Sequence, residues 1–430
     1  MELSTRYDPK AEETRLYQAW DDAGCFQPKP DPTGENRTFT VMIPPPNVTG
    51  VLHMGHALNN TIQDIVCRHR RMKGFETLWV PGTDHAGIAT QAVVEKKLYK
   101  QGTTRQELGR EKFLEEVWSW KEEHGNTILG QLRGLGASCD WSRTRFTLEP
   151  AMSHAVRVAF CRLFDKGSVY RGSRLVNWDC KLQTAVSDDE IEHERRKSKL
   201  WYLKYPVDGE SDRFLTVATT RPETMLGDTG VAVHPTDERY GDLVGKKVKL
   251  PLVDRLIPIV ADESVDPEFG TGAVKVTPGH DPADYERGKR HNLPIINVLH
   301  KDGKINEEGG RFEGMPRETA RKEIVAAFEE LGLLEKTEDI QNNVTISDRS
   351  KTPIEPMVSE QWFVAMKELA GPAINAAKDG TLKFVPERWS KVYLDWLENV
   401  HDWCISRQLW WGHRIPVWYD EDFVPVASVE

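Results

Sequence analysis

The chain has 430 residues, 39% of them hydrophobic and 29% charged, with a formal net charge of −10. That length accommodates two or three domains with substantial cores, and no run of about 18 apolar residues exists to span a membrane. The acidic balance neither advertises nor forbids a nucleic-acid partner, because RNA needs only a local basic face.

In chain order, a helix is expected over 10–22, then a buried strand from Phe39 to Ile43. Pro44, Pro45 and Pro46 stiffen the exit from that strand, each fixing φ and removing a backbone donor. A helical pattern follows from Gly55 to Lys73, ending in the basic cluster Arg68, Arg70, Arg71 and Lys73. A second strand is read over Thr77 to Val80. The turn Pro81-Gly82-Thr83-Asp84-His85 then leads into a helix from Ala86 to Lys100. Such β-α-β-α alternation implies a parallel sheet with helices packed on it. Helices at 104–133 and 149–166 extend the same domain. Beyond Asn177 the texture changes to short β-rich runs (Leu215–Ala218, Val231–Val233, Ala273–Val276) with frequent Gly and Pro, closed by a helix from Glu318 to Leu331. From Ile354 the strand-then-helix texture resumes. The economical parse is one α/β domain, residues 1–191 and 346–430, interrupted by a β-rich α+β insertion over 192–345.

The six cysteines, at 25, 67, 139, 161, 180 and 404, form no Cys-x-x-Cys pair. That argues against a zinc knuckle and a disulfide framework. Met1-Glu2-Leu3-Ser4-Thr5-Arg6 lacks the apolar core of a secretion signal. A reducing cytoplasm is the expected home.

His53 and His56 lie three apart at a helix start and are able to share a face. Unpaired N–H groups and the dipole make that end attractive to anions, and Gly55 leaves room for a bulky ligand to approach the backbone. An isolated His-x-x-His is more often a surface pair or a partial metal site. Here the strand, proline loop and helix around it favour two imidazoles holding phosphate oxygens. Asp84 sits where a parallel strand should end, the edge at which open α/β sheets bind ligands; the plainer reading is a cap for the next helix.

The stretch Pro44-Pro45-Pro46-Asn47-Val48-Thr49-Gly50 with His53-Met54-Gly55-His56 resembles the first signature, His-x-Gly-His, of class I aminoacyl-tRNA synthetases. Within that family it looks like the valine-specific branch rather than the isoleucine- or leucine-specific ones. The string Asp402-Trp403-Cys404-Ile405-Ser406-Arg407-Gln408-Leu409-Trp410-Trp411-Gly412-His413-Arg414-Ile415-Pro416 carries the same resemblance, which covers essentially the whole chain. It implies a Rossmann-like catalytic domain split by an inserted editing domain, and an enzyme that uses ATP, with Mg²⁺, to join valine to tRNA(Val). By that resemblance Asp84 faces the α-ammonium of the amino acid, and Pro45, Pro46 and Asn47 line the same site. Gly55 lies against the nucleotide, and His53 and His56 face the phosphates. His413 is either a further polar group or a structural one. A monomer is expected. Cys180 stands where some relatives carry a cysteine-rich zinc element; a single cysteine forms no such site, so no structural zinc is expected.

The family's second signature, Lys-Met-Ser-Lys-Ser, does not occur in these residues. Lys197-Ser198-Lys199 echoes it only superficially. The resemblance therefore implies an N-terminal portion of a longer synthetase, or a truncated homologue.

The insertion has its own logic. Valine and threonine are nearly isosteric, and a hydrophobic pocket rejects the hydroxyl only about 100-fold, a figure that comes from the valine-specific enzymes themselves. A second, hydrolytic site would supply the missing discrimination. Lys275 and Thr277 are two apart on a strand and point the same way. Asp281 and Asp284, three apart at a helix start, are able to share a face. The plain readings are helix caps for the aspartates and β-propensity for the threonines. By the resemblance, Asp284 takes the α-ammonium, while Lys275, Thr277 and Asp281 contact the threonine hydroxyl or the attacking water. Arg221 and Thr224 contact the tRNA end, and the hydroxyls of that segment, Thr220 among them, are able to hold ribose, phosphate and a water. Hydrolysis by a positioned water is expected, since no Ser-His-Asp triad or zinc set is evident. The rival from another class is a tRNA deacylase without synthetic activity.

Overall fold

The computed structural model describes residues 7–29, 34 and 37–430. The segment Met1–Arg6, read above for a secretion signal, lies outside the described residues. The chain divides into two compact units, residues 1–165 with 409–430, and residues 166–408.

The first unit begins with helix α1 (Pro9–Asp22), followed by strand β1 (Thr38–Met42), helix α2 (Met54–Met72) and strand β2 (Glu76–Val80). β1 and β2 pair in parallel, with Phe39 opposite Thr77 and Val41 opposite Trp79. Parallel neighbours need a crossover, and α2 supplies it. His69, Arg70 and Arg71 fill its last turn, where cations complement the helix dipole. A two-residue strand β3 (Gly82–Thr83), helix α3 (Gly87–Lys100), the one-turn helix α4 (Arg105–Leu108) and the long helix α5 (Arg110–Gly134) follow. The helix expected over 104–133 is thus broken at Gly109, whose φ of +83° no helix accommodates. Strand β4 (Arg145–Phe146), which pairs in parallel with β3, and helix α6 (Pro150–Asp165) complete this part. Trp79, Phe113, Val117, Ile128, Leu132 and Trp411 are among the side chains that fill its core.

The second unit is β-rich, as its Gly- and Pro-punctuated texture implies. Strands β5 (Val169–Asp179), β6 (Thr184–Val186), β7 (Ile191–Pro206) and β8 (Phe214–Thr219) come first. Next are β9 (Gly230–Val233), β10 (Lys247–Leu250), β11 (Arg255–Ala261), β12 (Ala273–Val276) and helix α7 (Pro282–Arg290). Helix α8 (Arg317–Glu330), β13 (Leu334–Ser347), β14 (Glu355–Val364), α9 (Met366–Lys378), α10 (Trp389–Glu398) and β15 (Trp403–Cys404) close it. The chain ends in the first unit with a hairpin, β16 (Val417–Tyr419) and β17 (Pro425–Ala427).

Three sheets result in the second unit, with strand orders β10-β11-β9-β12, β13-β7-β8 and β15-β14-β5-β6. β7 and β13 form a long antiparallel ribbon, from Leu203 opposite Leu334 to Ile191 opposite Ser347. Leu203, Tyr205, Leu215, Val217, Val231 and Phe328 lie in the main core. β9 is buried along its whole length, which explains its unbroken apolar run. Among the described residues no helix is long and apolar enough to cross a membrane.

Candidate functional site

In the first unit the proline loop and the Asp84 turn lie side by side beyond the C-terminal ends of β1 and β2. The Asp84 N–H donates to the Pro46 carbonyl at 2.9 Å, and the Val48 N–H donates to the Asp84 carbonyl at 3.1 Å. Asn47 and Asp84 thereby form an isolated parallel bridge. Ala86 caps α3 without a side-chain hydrogen bond and takes a left-handed backbone, φ +44° and ψ +65°. This conformation costs an alanine roughly 1 kcal/mol.

The Asp84 carboxylate accepts from Thr147 Oγ1 at 2.8 Å and lies 3.3 Å from His85 Nδ1, with its side chain 34% exposed. Burial acts to raise its pKa, but hydrogen bonds from His85, Thr147 and the Ala86 N–H hold it below the usual carboxylate range. It is an ionised carboxylate, partly open to solvent, at the edge where such sheets bind ligands. Trp411 fixes the turn from behind: its Nε1–H donates to the His85 carbonyl at 2.8 Å. Gln91 Oε1 in turn accepts from the N–H groups of Trp410 and Trp411. The His413 ring meets that of His85 edge-on at 5.1 Å, and burial together with His85 lowers its pKa.

His53 is the N-cap of α2. Its Nδ1 accepts from the Gly55 N–H at 3.1 Å, and His56 Nδ1 accepts from the His53 N–H at 3.3 Å, a reciprocal capping box. Each neutral ring therefore carries its proton on Nε2. Two N–H donors with ring centroids 3.9 Å apart sit at the positive end of a helix. Burial, followed by the neighbouring His53, lowers the pKa of His56, which favours the neutral form. A Cβ on Gly55 would lie 2.9 Å from Cε1 of His53. The glycine is required first by the folded-back His53 ring, a tighter constraint than the open approach read from sequence.

In the second unit, β8 leads into the buried 3-10 turn Pro222–Gly227, and β12 leads into the turn before α7. Lys275 and Thr277 do point the same way: Lys275 Nζ donates to Thr277 Oγ1 at 2.5 Å and to Thr224 Oγ1 at 3.2 Å. Asp284, 5% exposed, accepts from the Thr277 N–H at 3.0 Å and from Arg287 at 2.8 Å. Burial raises its pKa, with Lys275 opposing. The two aspartates do not share a face. Asp281 is exposed and caps α7, its carboxylate accepting from the Asp284 N–H at 3.0 Å, so the plain capping reading describes its geometry.

Arg221 is engaged within the unit. It pairs with Glu355, with Glu223 at 3.3 Å and with the His280 carbonyl at 3.3 Å. Glu223 also takes a bidentate pair from Arg321, both bonds at 2.7 Å. Thr220 is half-buried beside it. His280 is buried and neutral: its Nε2 accepts from the Val298 N–H at 2.9 Å, and its Nδ1 lies 3.2 Å from the Pro356 carbonyl. Burial, with Arg221 and Lys275 nearby, pushes its pKa down to about 3. The preceding Gly279 is pressed on the backbone, where a Cβ would fall 2.2 Å from the Ile296 carbonyl oxygen.

Sequence reasoning missed Thr147, Glu223, Glu355, Tyr205 and Asp228. For Asp228 a signal existed. It is a carboxylate inside the otherwise uncharged run Met225-Leu226-Gly227-Asp228-Thr229-Gly230-Val231-Ala232-Val233, where burial demands partners. Cys180, also buried, has its thiol pushed up to about 12 by burial.

The family described as tRNA synthetases class I (I, L, M and V) matches residues 15–430. The chain belongs to that family. Class I synthetase architecture accounts for the α/β unit and the β-rich insertion alike. Among curated relatives, valine–tRNA ligase of Geobacter sulfurreducens is 57% identical over 97% of this chain and 47% of its own length. That of Carboxydothermus hydrogenoformans is 58% identical over 98% and 47%, and that of Thermotoga maritima 57% over 98% and 48%. The chain spans about half the length of these class I relatives.

Proposed function

We propose that the chain takes part in ATP-dependent ligation of valine to tRNA(Val), and that its second unit carries the hydrolytic editing of threonyl-tRNA(Val). In the first unit Asp84 takes the valine α-ammonium, beside Pro45, Pro46 and Asn47. The two Nε2–H donors of His53 and His56 hold ATP phosphates as charge develops during adenylate formation. Gly55 lies against the nucleotide. Mg²⁺ enters with ATP. A cytoplasmic location and a monomer accompany this reading, which rests on the relatives' names, on the ionised Asp84 carboxylate and on the capping-box geometry of His53 and His56.

The editing assignment rests on one observation: Lys275, Thr277, Thr224 and Asp284 meet as a buried, hydrogen-bonded polar cluster. Asp284 receives the α-ammonium, and Lys275 with Thr277 recognises the threonine hydroxyl or the water, with Thr220, Arg221 and Thr224 toward the tRNA end. Asp281 acts through its cap on α7. Water oxygen bonds to the carbonyl carbon, the ester C–O bond to the ribose breaks, and the ribose oxygen takes the proton. Threonine and free tRNA leave.

The test is deacylation of threonyl-tRNA(Val) by the 430-residue chain. Lys275→Ala and Asp284→Ala are each expected to lower the rate about 100-fold, the scale of a lost charged contact in a dry site. Wild-type rates in both variants would overturn the assignment. The second reading is a deacylase without synthetic activity. Valine-dependent pyrophosphate exchange separates the two: turnover by this chain excludes the second reading.

A further inference from the structure

Asp228 has none of the roles above, yet it is joined to residues that do. It is fully buried at the end of the turn Pro222–Gly227. Its Oδ2 accepts from the Tyr205 hydroxyl at 2.8 Å. Its Oδ1 accepts from Thr277 Oγ1 at 2.5 Å and lies 3.5 Å from Lys275 Nζ.

Thr277 has one hydroxyl hydrogen. Donated to Asp228, it leaves only lone pairs to face Lys275, which donates to them. The hydrogen-bond directions thus run from the ammonium through the hydroxyl to the carboxylate, and are set by the charge on Asp228. Lys275 is itself buried, and burying an ammonium without a countercharge is costly. Asp284 also attracts Lys275, but its direct ion pair is with Arg287, whereas Lys275 pairs with Asp228.

We infer that Asp228, anchored by Tyr205, is a positioning residue for the hydrolytic site, its carboxylate holding the Lys275 ammonium and the Thr277 hydroxyl in the geometry that meets the threonyl ester. The inference rests on the editing reading. The groups that face Asp228 are Tyr205 from β7, Lys275 and Thr277 at the end of β12, Asp284 from α7 with its partner Arg287, and Arg255 from β11, which donates to the Asp228 backbone carbonyl at 3.2 Å and pairs with Glu308 at 3.7 Å. Protonating Asp228 removes one negative charge from the cluster, which weakens its attraction for the incoming α-ammonium and releases Thr277 to donate elsewhere. Burial, opposed by Lys275, Thr277 and Tyr205, pushes this carboxyl up to about 6, so the switch falls within an accessible pH range.

The experiment is the pH dependence of kcat/KM for threonyl-tRNA(Val) hydrolysis by the whole chain, between pH 4.5 and 8. The unaltered protein should lose activity below about pH 6. Tyr205→Phe removes a donor that favours the carboxylate, so the acid limb should move to higher pH. The pKa of Asp284 is also raised by burial, but Tyr205 bonds Asp228 and not Asp284, so this shift singles out Asp228. Asp228→Asn should remove the limb and lower activity about 100-fold at every pH, the scale of misplaced reacting groups. An inert unaltered chain overturns the editing reading and this inference with it. An active chain whose Tyr205→Phe variant keeps the original acid limb overturns the inference alone. Tyr205→Phe preserves the charge and decides the matter even if Asp228→Asn fails to fold.

Discussion

The two candidate sites differ in how their polar groups are satisfied. In the first unit His53 is exposed and Asp84 is 34% exposed. Neither Nε2 of the two histidines has a protein partner among the described residues. In the second unit Lys275, Thr277, Asp228 and Asp284 are all buried and bonded to one another. The first arrangement leaves its donors free for a ligand that brings its own strong charge. The second fixes orientation in advance, which suits discrimination of one hydroxyl, where a site built around polar contacts rejects the wrong substrate far better than an apolar one.

The contrast breaks most sharply in stability. Gly279→Ala forces a Cβ against the Ile296 carbonyl and should destabilise the second unit by about 3 kcal/mol, the upper end for overpacking, with loss of deacylation. Denaturant unfolding followed by tryptophan fluorescence would register it. Lys275→Ala leaves Asp228 buried without its countercharge and should cost about 3 kcal/mol as well. Near-wild-type stability in that variant would mean the cluster is not preorganised as described.

His280 gives a smaller and pH-dependent effect. Its pKa in the folded unit lies near 3, below its ordinary value of 6.5, so the unfolded chain binds more protons between those values. The stability that neutral His280 contributes is fully present above about pH 6.5 and is lost as pH falls toward about 3. Unfolding midpoints measured from pH 7 to 4 should fall, and fall less steeply in His280→Gln. The smallest effect belongs to the first unit: His53→Ala removes a cap and should cost about 1 kcal/mol, while valine-dependent pyrophosphate exchange, if the chain performs it, drops far more. A large stability loss there would erase the distinction between the sites.

What was legible in the sequence follows the same division. The β1–α2–β2 crossover and the Asp84 turn are local patterns, set by alternation, prolines and spacing within some 50 residues. Lys275 and Thr277 were legible for a similar reason, because strand periodicity alone puts them on one face. Contacts closed by the fold were not. Arg221 meets Glu355 across 134 positions and Thr147 meets Asp84 across 63, and no local pattern encodes either pair. Asp281 and Asp284 show the limit of spacing. One caps the helix from outside while the other, in its first turn, packs inward. The break at Gly109 was missed because its neighbours on both sides favour helix.

The left-handed backbone of Ala86 has a consequence for engineering this protein. Glycine would occupy that corner without steric cost, so replacing Ala86 removes a local strain. It would also give the turn other backbone states to visit in the folded protein. Alanine restricts the corner next to Asp84 in advance, so under the proposed function less ordering remains to be done when the amino acid binds. A thermostability screen that selects Ala86→Gly would gain melting temperature at the expense of a weaker grip on the small ligand.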